Sequence, residues 1–183
     1  GRRYEWKGNV PDLLRADGLV KNYELLAGEY PAGPTDLVLV VDPKNRVDFR
    51  ILRNLGFDAA AAGEALPFSS IVGTEFRLIS NDDYYATTLF GSYLPGRDWE
   101  AMYASDNSIT LRISGVVRQR KDVKIGLLAT GIAYSDELSQ MVIDRAADSQ
   151  IVKAQQASSR NVITMEEMDE ETRNVFLSYL GGS

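Results

Sequence analysis

The spacing of apolar and polar positions changes along the chain, and each change predicts a different element. Near the N-terminus, "VPDLLRADGLV" is a short helix candidate stopped by Gly18. "YELLAGEYPAGP" then reads as a loop punctuated by Gly28, Pro31, Gly33 and Pro34. The unbroken run LVLVV leading into Asp42 predicts a buried strand. In "NRVDFRILRNLG", Val47, Ile51 and Leu55 recur at helical spacing, with Asn45 as candidate N-cap, Asp48 in the first turn and Gly56 just past the end. Residues 57–67 are Ala-rich and predict a weak helical turn or a connection.

From residue 71 the period becomes two. "VGTEFRLI" puts Phe76 and Leu78 opposite Glu75 and Arg77, and "ITLRISGVV" puts Ile109, Leu111, Ile113, Gly115 and Val117 opposite Thr110, Arg112 and Ser114. These predict half-buried antiparallel strands with "DYYATTLF" as a third; the intervening "GSYLPGRDWEAMYASDN" predicts a loop with one helical turn over 98–103. Helical spacing then returns. Ser135 is a candidate N-cap, and Leu138, Met141, Val142, Arg145, Ala146 and Val152 mark one stripe of a helix reaching about Gln155. "NVIT" predicts a short strand, and Thr164 with Glu167 a capping box opening a last helix that turns Met168, Val175, Phe176 and Tyr179 inward and stops at Gly181. This order predicts an α+β fold with a central antiparallel block.

Composition narrows the chemistry. The 183 residues suffice for one domain, with 44% hydrophobic and 25% charged residues as in ordinary globular chains. There is no histidine and no cysteine, so this chain alone builds no Ser-His-Asp triad, thiolate nucleophile, imidazole base, disulfide or zinc site of His and Cys. The net charge of −6 argues against nucleic acid and against an anionic lipid surface as partners. The longest apolar run is far below the ~20 residues of a membrane helix. A start at Gly1 without Met and a stop at "LGGS" read as a piece cut from something larger, with a processed or tagged protein as the alternative.

Several stretches carry candidate chemistry. Asp42 follows a strand as a catalytic carboxylate would, but Pro43 and Lys44 come next rather than a second ligand, which favours a turn role for it. "GSYLPGRD" has the two glycines of a phosphate-binding loop but Arg97 and Asp98 where lysine and Ser/Thr belong. "NDDYY" and "MEEMDEE" are dense acidic clusters, read respectively as a turn feeding a strand and as an acidic first helical turn. Tyr84, Tyr85, Phe90, Tyr93, Trp99 and Tyr103 crowd into one region. They make either a recognition surface, for which Tyr84, Tyr85, Tyr93, Trp99 and Tyr103 are the candidates, or a small core under a loop.

Taken in order, "YELLAGEYPAGPTDLVLVVDPKNRVDFRILRNLG", "IVGTEFRLISNDDYY", "ITLRISGVVRQRKD" and "GIAYSDELSQMVIDRAADSQIVKAQ" resemble the extracytoplasmic domain of MacB/FtsX-type ABC transporter permeases of Gram-positive bacteria. The resemblance spans residues 23–156 and rests on Gly28 and Pro31, Val38 to Gly56, Ile71 to Leu78, Ile113 to Val117, and Ser135 to Gln155. It implies a non-catalytic domain, without cofactor or metal, held on the outer side of the cell membrane, that transmits motion driven by ATP hydrolysis elsewhere. The implied partners are an ABC ATPase subunit, a second permease copy and an exported or sensed peptide, lipid or cell-wall substrate. It further implies an excised lobe, with residues 25–120 as a strand-rich distal portion and 121–183 as a helical return within one domain 1–183. Two rival readings stay open: a surface-attached ligand- or protein-binding module, and a hydrolase built on Asp42, Asp82 and Asp83.

Overall fold

In the computed structural model, which describes residues 6–7, 16–57, 65–124 and 128–182, the run LVLVV forms an inner strand of a mixed sheet. Among the described residues the elements run β1 (Trp6–Lys7), α1 (Ala16–Asn22), β2 (Tyr23–Gly28), β3 (Asp36–Val41), α2 (Phe49–Asn54), α3 (Phe68–Ile71), β4 (Glu75–Leu78), α4 (Asn81–Tyr84) and β5 (Tyr85–Thr87). They continue with β6 (Tyr93–Pro95), α5 (Trp99–Ala104), β7 (Ile109–Gln119), β8 (Gly131–Ser135), α6 (Asp136–Ala147), α7 (Gln150–Gln156) and α8 (Glu170–Tyr179). The fold is α+β, as the alternation of periods implies. The chain divides into two compact units, Gly1–Phe76 with Thr110–Ser139, and Arg77–Ile109 with Gln140–Ser183. The strand-rich portion 25–120 and the helical portion 121–183 each contribute to both.

The first unit is built on the sheet β1-β8-β3-β7-β2, with β4 also paired to β7. β2 and β7 run antiparallel, as do β3 and β8, whereas β3 and β7 are parallel. A strand between two neighbours and covered on both faces needs apolar residues on both faces, which is why LVLVV does not alternate. β7 alternates only over its first half. Ile109, Leu111 and Ile113 are buried against exposed or half-exposed Thr110 and Arg112, and from Ile113 to Val117 every residue is buried. Ser114 enters this stretch by donating its hydroxyl to the Leu37 carbonyl at 3.3 Å. Leu19, Tyr23, Val38, Val40, Val117, Leu128 and Ala133 make one core cluster. Tyr23 is tied into it at its polar end, its hydroxyl accepting the Leu128 N–H at 2.7 Å.

Three local expectations in this unit are corrected. Helix α1 runs through Gly18 instead of stopping there, while residues 10–15 and 58–64 lie outside the described residues. "YELLAG" is strand β2 before the loop, with an irregular register between Leu25 and Ala27 that ends on Gly28 opposite Gly115. A Cβ on Gly28, at φ 72°, would strike the Ser114 carbonyl oxygen, so two glycines face each other where the backbones come closest. Asn45 does not cap α2: it sits at φ 61° in the turn after β3, and Asp48 caps by accepting the Arg50 N–H at 2.9 Å. Ser135 does cap as expected, accepting the Leu138 N–H at 3.1 Å.

The second unit packs helices and a hairpin around Ile151, Val152, Val162, Leu177 and Leu180. "DYYATTLF" is not a third strand of the main sheet. Ser80 accepts the Asp83 N–H and turns 81–84 into a helical turn, leaving only Tyr85–Thr87 as strand β5, paired with β6 in a separate hairpin. The long helix to Gln155 is broken. Ser149 takes an extended conformation and donates to the Ala146 carbonyl, and the Asp82 carboxylate accepts the Gln150 N–H at 2.8 Å to start α7. Of the expected stripe, Leu138 and Val152 are buried, but Val142 and Arg145 are exposed.

"NVIT" is a turn, because the Asn161 side chain accepts the N–H groups of Ile163 and Thr164 and so competes with strand pairing. The expected capping box does not form either. Glu167 pairs with Arg160 at 2.8 Å, and Asp169 caps α8 by accepting the Thr172 N–H at 2.7 Å. The buried face of α8 is Leu177 and Leu180, with Phe176 half-buried and Val175 and Tyr179 exposed, so the inward face is rotated from the one the spacing suggests. Gly181, at φ 90°, ends the helix as expected.

Candidate functional site

Two adjoining features of the second unit, both within or next to the 84–103 segment, stand out once the elements are placed. The first is a run of aromatic rings. Trp99 and Tyr103 lie one helical turn apart on α5, centroids 6.4 Å apart, and Trp99 continues to Tyr84 at 6.0 Å. Tyr84 meets Tyr85 edge-on at 4.8 Å, and Tyr179 of α8 stacks on Phe176 at 6.1 Å. Burial of Tyr85, with the phenols of Tyr179 and Tyr84 nearby, raises its pKa above the usual value.

Local structure holds these rings in place. Asp98 caps α5 by accepting the Ala101 N–H at 3.0 Å, and the Gly96 N–H donates to the Tyr84 carbonyl at 2.6 Å. A Cβ at Gly96 would displace the Met102 methyl and crowd the Tyr84 carbonyl where β6 turns into α5. In the hairpin, Tyr85 pairs with Pro95 and Thr87 with Tyr93, placing these on one face, while Ala86 and Leu94 share the other. Tyr85 and Tyr93 pack against the core of the unit; Trp99 and Tyr103 remain about half exposed, at 50% and 48%. The two alternatives left by the sequence thus apply to different residues: Tyr85 and Tyr93 join a small core, Tyr84 bridges, and Trp99 and Tyr103 face outward.

The second feature is the hairpin turn. Thr88 donates its N–H to the Ser92 carbonyl at 2.8 Å and accepts the Gly91 N–H at 3.2 Å, with Gly91 at φ 79°. This is a three-residue loop closed by a left-handed glycine. Its two leading residues are Leu89 and Phe90, with relative exposures of 101% and 89%. Turns normally carry Gly, Pro, Asn, Asp or Ser at such places. From Tyr84 to Gly96 the sequence has no charged residue, against a quarter over the whole chain. That uncharged run, with Leu-Phe at its turn, was the signal available in the sequence for Leu89 and Leu94; Tyr179 gave none, since its spacing suggested an inward position.

The other candidates resolve into local structural bonds. Asp42 accepts the backbone N–H groups of Lys44 and Arg46 and pairs with the Arg46 guanidinium at 3.0 Å. Burial pushes its pKa up, but the bonds from Arg46 and Lys44 outweigh this and leave it below the usual value. Asp82 starts α7, and Asp83 accepts the Ser80 hydroxyl at 3.1 Å. "GSYLPGRD" is divided between the hairpin and the cap of α5 instead of cradling an anion. Among the described residues no three acidic groups converge as a metal site would require. A cavity of about 80 Å³ beside Leu78, Asn81 and Val142 is far smaller than the roughly 300–1,000 Å³ of small-molecule sites, and one of about 340 Å³ beside Gln156, Met168 and Arg173 reaches the lower end of that range.

No family model, curated protein or solved structure matches this chain. The functional reading therefore rests on its own residues. The rings and the turn offer apolar and planar contact area edged by phenol hydroxyls.

Proposed function

We propose that the chain is a non-catalytic extracytoplasmic domain of a MacB/FtsX-type ABC transporter permease. It would act on the outer side of the cell membrane and couple ATP hydrolysis in a separate subunit to export or sensing of a substrate. The observation that supports this reading is that strands from all four sequence segments of the resemblance, β2 and β3, β4, β7 and β8, join one sheet. "YELLAG" and "DLVLVV" are β2 and β3, "ITLRISGVV" is the body of β7 between them, and "GIAYS" is β8 on the far side of β3. Among the described residues no helix is long and apolar enough to cross a membrane, so the reading requires anchoring segments elsewhere in the full protein.

The test is to express the full-length gene product and fractionate cells. Recovery in the membrane fraction, with this domain digested by protease added outside intact cells, supports the reading. A product confined to the cytoplasm overturns it. A second reading, a surface-attached ligand- or protein-binding module without a transport role, draws on the aromatic run from Tyr103 to Tyr84. The two separate on ATPase activity of the purified full-length complex. Deleting the domain changes substrate-stimulated turnover in the first reading, whereas the second involves no such complex.

A further inference from the structure

We propose that the Leu89–Phe90 turn is a membrane-inserting tip whose partner is the neutral, zwitterionic surface of a lipid bilayer. The tip contributes nothing visible to the packing of its own unit, since both side chains stand almost wholly in solvent. Two large apolar residues at turn positions break the local rule for turns without a compensating contact, as happens where function sets the residue. This role rests on the tip's own residues and not on the transport reading.

Three backbone donors and both hydroxyls of the tip are paired within it. Thr88 N–H reaches the Ser92 carbonyl at 2.8 Å, Gly91 N–H the Thr88 carbonyl at 3.2 Å, and Phe90 N–H the Thr88 hydroxyl at 3.3 Å. The Thr88 and Ser92 hydroxyls bond to each other at 2.6 Å. A loop entering hydrocarbon must bring few unpaired backbone donors with it, because no water is there to take them. The absence of charge from Tyr84 to Gly96 removes the side chains most costly to immerse, and tyrosines and a tryptophan behind the tip are the residue types favoured at the headgroup level.

Charge and area select among occupants. The chain carries a net charge of −6, and Asp82, Asp83 and Asp98 outnumber Arg97 beside the hairpin in sequence, so an anionic surface would be disfavoured. A three-residue turn also offers much less than the roughly 800 Å² per partner of a stable protein interface. A neutral bilayer meets neither objection.

The test is sedimentation of the chain with phosphatidylcholine vesicles, compared with vesicles containing one third phosphatidylglycerol at low salt. Three variants are added: L89S/F90S, V175S as an exposed apolar control on α8, and F90W. The parent and V175S are expected to bind phosphatidylcholine equally, L89S/F90S to bind at least roughly tenfold more weakly, and the anionic vesicles to bind less. The added indole of F90W should be quenched by acyl-chain-brominated phosphatidylcholine beyond the quenching of the parent. Unchanged binding by L89S/F90S, no binding by the parent, a preference for anionic vesicles, or an unquenched F90W overturns the proposal. Self-association that depends on Leu89 and Phe90, seen by light scattering without vesicle binding, also overturns it and assigns the tip to a protein interface. Matching circular dichroism of all variants excludes misfolding as the cause of lost binding.

Discussion

In the sheet of the first unit, Val38, Ile113, Val116 and Val117 are shut away from solvent, whereas in the hairpin of the second unit Leu89, Phe90 and Leu94 face it. Both are β structures closed by regular hydrogen bonds, and both are rich in apolar side chains. The sheet uses its apolar residues for cohesion: burying each Val, Leu or Ile stabilises by about 1.5–3 kcal/mol relative to exposure. The hairpin forgoes that gain at its tip and is held by its turn bonds and by Tyr85 and Tyr93 beneath it. Apolar content alone therefore does not separate structural from functional strands here; what each side chain touches does.

That contrast can be broken from either side. Ile113→Ala should destabilise the chain most, by about 2–5 kcal/mol in urea unfolding, because the site is wholly buried between paired strands. Gly28→Ala should cost about 2–3 kcal/mol, since alanine must hold φ 72° and displace the Ser114 carbonyl. A loss under 0.5 kcal/mol would mean that β2 shifts freely against β7. In the second unit, Gln155→Ala should cost about 1–3 kcal/mol. Its amide donates to the Arg160 carbonyl at 2.8 Å and accepts the Val162 N–H at 3.0 Å, leaving both unpaired when removed.

A smaller effect is expected at Asp48. The Arg50 side chain first, then the Arg50 backbone N–H, lower its pKa from 3.8 to about 2. A depressed carboxylate stabilises fully above its unfolded pKa and less as pH falls, so its support of α2 should fade between about pH 4 and about pH 2. A carbon-13 NMR titration should find the Asp48 carboxyl near 2 in the parent and shifted toward 3.8 in Arg50→Gln. A titration near 3.8 in the parent would remove the ion pair with Arg50 from the account.

The long-range outline was legible wherever burial controls the pattern. LVLVV read as a buried strand and is one, ITLRISGVV read as a half-buried strand but is an inner one, and Gly56 and Gly181 marked helix ends that their positive φ angles require. What misled were short polar side chains that bond to nearby backbone. Ser80, Ser149 and Asn161 each redirect the chain within a few residues, and Asp82 caps a helix far along the sequence, which no local pattern reveals. Asp48 and Asp169 took the caps expected of Asn45 and Thr164 because the preceding turns consume more residues than a capping motif assumes. The parallel pairing of β3 with β7 was likewise illegible, since strand direction depends on where the intervening chain goes. Of the site, the aromatic crowding was visible, but which rings face outward depends on the hairpin register.

The central claim, that the hairpin tip is spared from folding and kept for contact, is tested most directly by the urea midpoint of L89S/F90S. The account predicts a midpoint indistinguishable from the parent, within the ~0.5 kcal/mol typical of surface substitutions. A loss above about 1 kcal/mol would show that Leu89 and Phe90 serve the fold, and would contradict it.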